Sequence, residues 1–251
     1  MEEGYVKCNR RNKISTIEFF HPLSNSLPGN LLNDLAETIQ RESDTDTHVI
    51  VIKSAGEKAF CGGASFNELM AVKNEAEGLR FFSGFADVIN AIRTNKKLII
   101  GRFHGKCVGG GVGIAAAVDY AIASEAAAIK LSELALGIGP FVIGPAVERK
   151  VGTTAFSELA IDASSWRTAQ WAKEKGLFNE VYETIDKLDE SVNRLANVLS
   201  GYNPEAMAAM KIVFWEGTDH WENLLKQRAA ISGELVLSDF TKNAIEHFRK
   251  K

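Results

Sequence analysis

Two short glycine-rich stretches, Cys61-Gly62-Gly63-Ala64 and Gly109-Gly110-Gly111, each follow an aliphatic run and precede a segment of helical character. A loop that leaves a buried strand and enters a helix offers unpaired N–H groups at the positive end of the helix dipole, and glycine lets an anion approach the chain. Two such donors converging from separate loops would form an oxyanion hole, which matters most when negative charge develops on a carbonyl oxygen during reaction. The alternative is that the glycines serve tight helix–sheet packing or positive-φ turns. A second pattern overlaps the first. Gly111-Val112-Gly113-Ile114-Ala115-Ala116 satisfies G-x-G-x-x-A after a strand, with Glu133 20 residues beyond Gly113, as in dinucleotide-binding folds. In those folds the acidic residue ends a strand that follows a full crossover helix, whereas two short strand-like pieces precede Glu133.

The elements that must position these loops are legible as alternating strands and helices. "ISTIEFF" (14–20) reads as a strand, and "GNLLNDLAETIQRE" (29–42) as an amphipathic helix. "HVIVIKSA" (48–55) is a β-branched strand from which "AFCGGASFNEL" turns into another helix. "RFFSGFADVINAIRT" is helical, "KLIIGRFHG" is the strand feeding the second glycine loop, and a helix, "YAIAS" and "AAIKLSE" follow. The alternation predicts an α/β fold. From about Ser164 the patterns turn helical, which suggests a core over residues 1–195 and a helical C-terminal region over 196–251. Trp166, Trp171, Phe214, Trp215 and Trp221 on those stripes are expected in the core or at subunit contacts.

A chain of 251 residues buries a core large enough to need no disulfide staples. Cys8, Cys61 and Cys107 form no metal-type or C-x-x-C spacing, which fits a reducing compartment and a cytoplasmic protein. With 29 basic and 32 acidic side chains there is no electrostatic footprint for nucleic acid. No apolar run approaches the roughly 20 residues that span a bilayer, and "MEEGYVKCNRRNK" has no signal-peptide core, so no membrane association is expected.

Three blocks give the chain a family likeness: "HPLSNSLPGNLLNDLAETI", "HVIVIKSAGEKAFCGGASFNEL" and "GKCVGGGVGIAAAVDYAIASEAAAIKLSELALGIGP". Together they resemble the crotonase superfamily, the enoyl-CoA hydratase/isomerase family, over most of residues 1–155. The resemblance implies a crotonase-like spiral of ββα units, a helical C-terminal trimerisation region, a homotrimer or homohexamer, and a coenzyme A thioester as substrate with no metal or other cofactor. It implies a thioester enolate intermediate whose oxyanion donors fall on Ala64 and Gly110. Ala64, Ser65, Phe66 and Asn67 match the segment lining the acyl-CoA tunnel, Leu27 and Lys58 match positions near the coenzyme, and Asp119 matches a structural aspartate.

Hydratases of the family use two glutamates, one to deprotonate water and one for C2. Here the first position holds Gly113 and the second retains Glu133, preceded by Ser132 instead of proline. A lone base suits a Δ3,Δ2-enoyl-CoA isomerisation, in which one carboxylate takes a proton from C2 and returns it at C4. The pair Pro140-Phe141 resembles a feature of monofunctional isomerases in the superfamily. Ser65 replaces a usual aspartate and His104 a usual asparagine, and Gly113 is expected to open space for another group; Glu68 and His104 are candidates for a second acid or base. A hydratase (enoyl- or methylglutaconyl-CoA) with an unconventional second group, other enolate chemistry such as decarboxylation, a non-catalytic acyl-CoA binder and a nicotinamide oxidoreductase stand as alternatives.

Overall fold

The structure, a computed structural model, describes residues 3–249. The chain begins with an antiparallel hairpin, β1 (Tyr5–Arg11) and β2 (Ile14–Phe20), and α1 (Gly29–Glu42). Three strand pairs follow. The first is β3 (Val49–Ser54) and β4 (Ala59–Cys61), with α2 (Phe66–Ala71) and α3 (Glu75–Thr94) behind it. The second is β5 (Leu98–Phe103) and β6 (Lys106–Val108), followed by α4 (Gly110–Ala117). The third is β7 (Tyr120–Ser124) and β8 (Ala128–Lys130), followed by a 3₁₀ turn (Leu134–Leu136) and α5 (Gly144–Ile161). In each pair the first strand joins a six-stranded sheet of order β1-β2-β3-β5-β7-β10 and the second a four-stranded sheet of order β4-β6-β8-β9. Successive turns of the chain therefore stack as a spiral, with β3, β5 and β7 parallel in one layer and β4, β6 and β8 parallel in the other.

The run Val49–Ser54 is apolar throughout because both its faces are covered. Ile50 and Ile52 face the main core with α1 and α3, whereas Val49 and Val51 pack with Leu188 and Val192 of α7 (Ile185–Ser200). The C-terminal third is less purely helical than its pattern suggests. Two short strands, β9 (Arg167–Thr168) and β10 (Glu180–Tyr182), flank α6 (Ala169–Glu174) and finish the two sheets, antiparallel to β8 and parallel to β7. They are two and three residues long, too short for a period-2 signal. The first strand, Tyr5–Arg11, escapes the same reading because four of its seven residues are polar or charged, as suits a sheet edge. The boundary expected at 195/196 falls inside α7, which packs against the large sheet along its length.

Helices α8 (Pro204–Phe214), α9 (Trp221–Leu235) and α10 (Asp239–Arg249) complete the chain. A Cβ on Gly78 would stand 2.7 Å from the Cα of Gly233, so these glycines let α3 and α9 cross at backbone contact. Trp215 and Trp221 meet edge to face, while Trp166 and Phe214 remain 42% and 43% exposed. Asp119 anchors α8: its carboxylate accepts from the Ile99 N–H (2.7 Å), Lys211 Nζ (2.8 Å) and Trp215 Nε1 (3.2 Å). Lys211 is 2% exposed and also donates to the Lys97 carbonyl. Removing one partner of a buried ion pair leaves an uncompensated charge, so Lys211→Met is expected to cost about 3–5 kcal/mol in urea unfolding.

Candidate active site

The two glycine loops leave neighbouring strands. β4 and β6 pair in parallel, Cys61 beside Cys107, so the loops 61–64 and 108–111 emerge side by side. They touch: a Cβ on Gly111 would lie 2.7 Å from the Cys61 carbonyl oxygen, and one on Gly63, whose φ is +94°, 3.3 Å from that of Val108. Leu27 fixes the direction of the first loop. Its N–H donates to Gly63 O (2.8 Å) and its carbonyl accepts from the Ser65 N–H (2.9 Å). In a parallel bridge of this kind the N–H of the central residue, Ala64, points away from the partner strand. It has no partner among the described residues.

The second loop turns at Gly109, whose φ of +52° and ψ of −113° suit only glycine. Its N–H donates to Lys130 O, and its carbonyl accepts from Val112 and Gly113, which leaves the N–H groups of Gly110 and Gly111 as the free first turn of α4. All eight residues of α4 are buried, so this helix end is not exposed to bulk water. The six residues that matched the dinucleotide pattern lie inside α4, and no strand-to-helix turn carries them.

Glu133 precedes the 3₁₀ turn, and its backbone carbonyl accepts from Leu136 and Ile138. That places its carboxyl against Gly109: a Cβ there would stand 2.7 Å from Glu133 Oε1. Oε2 is buried without a hydrogen-bond partner among the described residues. Burial pushes the carboxyl up to about 7, partly opposed by the N–H groups of Glu133 itself and Ser132. A carboxyl held near neutrality is suited to act as a base, and this one lies against the glycine turn that opens α4.

Ala64, Gly110 and Glu133 share one cavity of about 150 Å³ with Phe66, Leu69, the aromatic rings of α3 (Phe81, Phe82, Phe85) and the segment from Ile138 to Ile143. Glu133 is the only ionisable side chain among its described lining residues; Ser132 and Ser232 supply hydroxyls. The remaining sequence candidates lie elsewhere. Leu27 is fully buried beneath Ala64, Ser65 caps α2 by accepting from the Glu68 N–H, and Asn67 is exposed on α2. Lys58 stands on the surface loop between β3 and β4, beside a shallow hollow with His21 and Gly56. Glu68 is engaged at the start of α1, where Oε2 accepts from the Gly29 N–H (2.8 Å). His104 is 3% exposed at the end of β5, outside the cavity lining, and burial lowers its imidazole to about 4.

The space expected beside Gly113 is closed. A Cβ there would meet Ile143 Cγ2 at 2.6 Å and Ile143 Cβ at 2.9 Å, because the segment after the 3₁₀ turn folds back over α4. Gly113→Ala is therefore expected to lose about 1–3 kcal/mol to overpacking, against about 1 kcal/mol regained in helix propensity, read as a lower urea midpoint. The phenylalanines of α3 and Ile143 are the site residues that sequence reasoning missed. Their signal was the spacing of Phe81, Phe82 and Phe85, which puts three rings on one helical face.

The family model for enoyl-CoA hydratase/isomerase matches residues 9–251. The chain belongs to the enoyl-CoA hydratase/isomerase family. Relatives within it differ in the reaction they are named for. A probable enoyl-CoA hydratase of Bacillus subtilis (strain 168) is 27% identical over 95% of this chain and 93% of its own length. A peroxisomal Delta(3,5)-Delta(2,4)-dienoyl-CoA isomerase of Arabidopsis thaliana is 27% identical over 81% and 77%. The crystal structure of an enoyl-CoA hydratase from Bacillus halodurans superposes with a TM-score of 0.89 over 97% of this chain and 99% of that one, at 22% identity. The spiral described above is thus the crotonase-type fold of this family of acyl-CoA enzymes.

Proposed function

We propose that this enoyl-CoA hydratase/isomerase family member is a Δ3,Δ2-enoyl-CoA isomerase with Glu133 as its single base. The observation that carries the reading is the lone carboxyl: Glu133 faces the cavity with no second ionisable group among the described lining residues, and Ile143 fills the place beside Gly113. In the reaction, a Glu133 oxygen takes a proton from C2 of a 3-enoyl thioester. The electron pair of the broken C–H bond moves toward the carbonyl, giving a dienolate. Its oxygen is met by the N–H groups of Ala64 and Gly110, with the field of α4 behind the latter. The same carboxylic acid then returns the proton at C4, and the double bond comes to lie between C2 and C3. Only protons move, so the chemistry requires no electron carrier or metal.

Phe66 lines the cavity, Ser65 caps α2 directly after Ala64, and Asn67 stands exposed on the same helix as a candidate contact for the coenzyme. Lys58, exposed on the loop between β3 and β4, is our candidate counter-charge for a coenzyme phosphate, and Leu27 is the buried support of the Gly63–Ser65 turn. The exposed apolar residues Met210, Ile212, Val213 and Phe214 at the end of α8 favour self-association as a trimer or hexamer, and the free cysteines favour the cytoplasm.

The test is exchange of the C2 hydrogens of a 3-enoyl-CoA in deuterated water, followed by identification of the product. Migration of the double bond without addition of water is the expected result. Hydration of a 2-enoyl-CoA at comparable rate would replace this reading with that of a hydratase. Binding without exchange would leave only a thioester binder.

A further inference from the structure

We infer that the acyl group is short and uncharged, and that Phe81 is the residue that limits its length; the inference rests on the acyl-CoA reading above. A cavity of about 150 Å³ with aliphatic and aromatic walls is the size that holds one benzene ring. Here that volume must also take the thioester carbonyl, since the donors at Ala64 and Gly110 face it, which leaves room for an acyl group of about four to six carbons.

Phe81 forms part of the cavity wall. It meets Phe82 edge to face, with ring centroids 4.9 Å apart, and packs with Leu69, Ile138, Val236 and Ile245. A separate groove of about 530 Å³ between α1, α2 and α3 also includes Phe81 in its lining, with Ala71, Val72 and Gly84 near the ring and the charged Glu68, Glu77, Arg80 and Asp87 along its solvent side. The Phe81 ring is the partition common to both spaces. Removing it joins them and gives a longer chain an outlet along α3.

The lining chemistry selects against charge. Among its described lining residues the cavity has no cation, and its one ionisable group is the buried Glu133 carboxyl. A terminal carboxylate on the acyl group would enter without a partner and beside a like charge, which burial makes costly. This excludes dicarboxylic acyl groups such as methylglutaconyl.

The experiment measures two things on the 251-residue chain. Calorimetric binding of saturated butyryl-, hexanoyl- and decanoyl-CoA reads the cavity without chemistry; turnover of the matching 3-enoyl-CoAs reads it with chemistry. For the unaltered protein, decanoyl binding and decenoyl kcat/KM are expected to be at least about tenfold below those of the six-carbon compounds, and glutaconyl-type thioesters at least about 100-fold below. Phe81→Ala is expected to raise the decenoyl-to-butenoyl ratio of kcat/KM at least about tenfold, with Phe81→Leu intermediate and available if the alanine variant is unstable. Equal handling of four- and ten-carbon chains, an unchanged ratio in both variants, or efficient use of a carboxylate-ended acyl group would each overturn the inference. A length-ordered binding series without any turnover would sink the isomerase and leave the length limit standing. Failure of every acyl-CoA to bind would overturn both.

Discussion

Glu133→Gln is expected to abolish double-bond migration, lowering the rate by about 10³–10⁴-fold, because in the proposed isomerisation one group performs both proton transfers. Acyl-CoA binding should persist, since glutamine keeps the shape of the side chain. The pH profile gives an independent reading. With its carboxyl pushed up to about 7, the unaltered enzyme should gain kcat/KM nearly tenfold per pH unit below 7 and level off above it. The same shift has a cost in stability whose sign follows from linkage. Below about pH 4.5 the group is protonated in both folded and unfolded chains and contributes nothing. Between about 4.5 and 7 the unfolded chain releases its proton while the folded one keeps it, so stability falls as pH rises, by up to about 3 kcal/mol once pH exceeds 7. Glu133→Gln should therefore be inactive yet more stable at pH 8, by about 1–2 kcal/mol after allowing for an unsatisfied amide, with no gain at pH 4. Full activity in the variant, or a stability gain independent of pH, would contradict the placement of this carboxyl as a buried base.

Gly110→Ala is expected to be the second severe change. A Cβ at this position would lie 2.2–2.4 Å from three atoms of the Phe85 ring, so either the ring or the start of α4 must move. Displacing one oxyanion donor costs about 10²–10³-fold in kcat, or about 3–4 kcal/mol of transition-state stabilisation, with a much smaller change in KM. Overpacking adds about 1–3 kcal/mol of lost stability. Combining the substitution with Phe85→Leu removes the conflicting outer ring atoms and should recover stability along with at least about tenfold of the rate. If the double variant regained stability but no activity, the N–H of residue 110 would remain misplaced for a reason other than this ring. If the single variant kept its full kcat, Gly110 would not be an oxyanion donor.

These predictions rest on features of unequal legibility in the chain. The strands and helices that lead into the glycine loops were readable because their patterns are strong: "GNLLNDLAETIQRE" forms α1 over those same residues, and "YAIAS" forms β7. The polar edge strand Tyr5–Arg11 and the short strands β9 and β10 carry no such pattern, and the sheet places them through hydrogen bonds to neighbours far away in the chain. Glu68 illustrates the limit for the site. Its position one turn into α2 is compatible with an acid or base at the cavity, but the α1 backbone N–H of Gly29, 39 residues earlier, captures its carboxylate. Gly113 illustrates it in the other direction. Absence of a side chain suggested free volume, yet volume in a close-packed interior belongs to whichever neighbour reaches it first, and Ile143 does.

By itself, the sequence determined the residue types that the proposed chemistry calls for: two glycine loops after strands, one retained carboxylate at Glu133 and no carboxylate at Gly113. Those are local properties, set by which side chains exist and which backbone conformations glycine permits. Only the tertiary structure decided that the loops leave adjacent parallel strands, that Glu133 is buried against Gly109, and that the rings of α3 line the cavity. The physical reason is that proximity and desolvation are properties of several segments at once. A carboxyl becomes a base near pH 7, and two amides become an oxyanion hole, only when distant parts of the chain exclude water around them together.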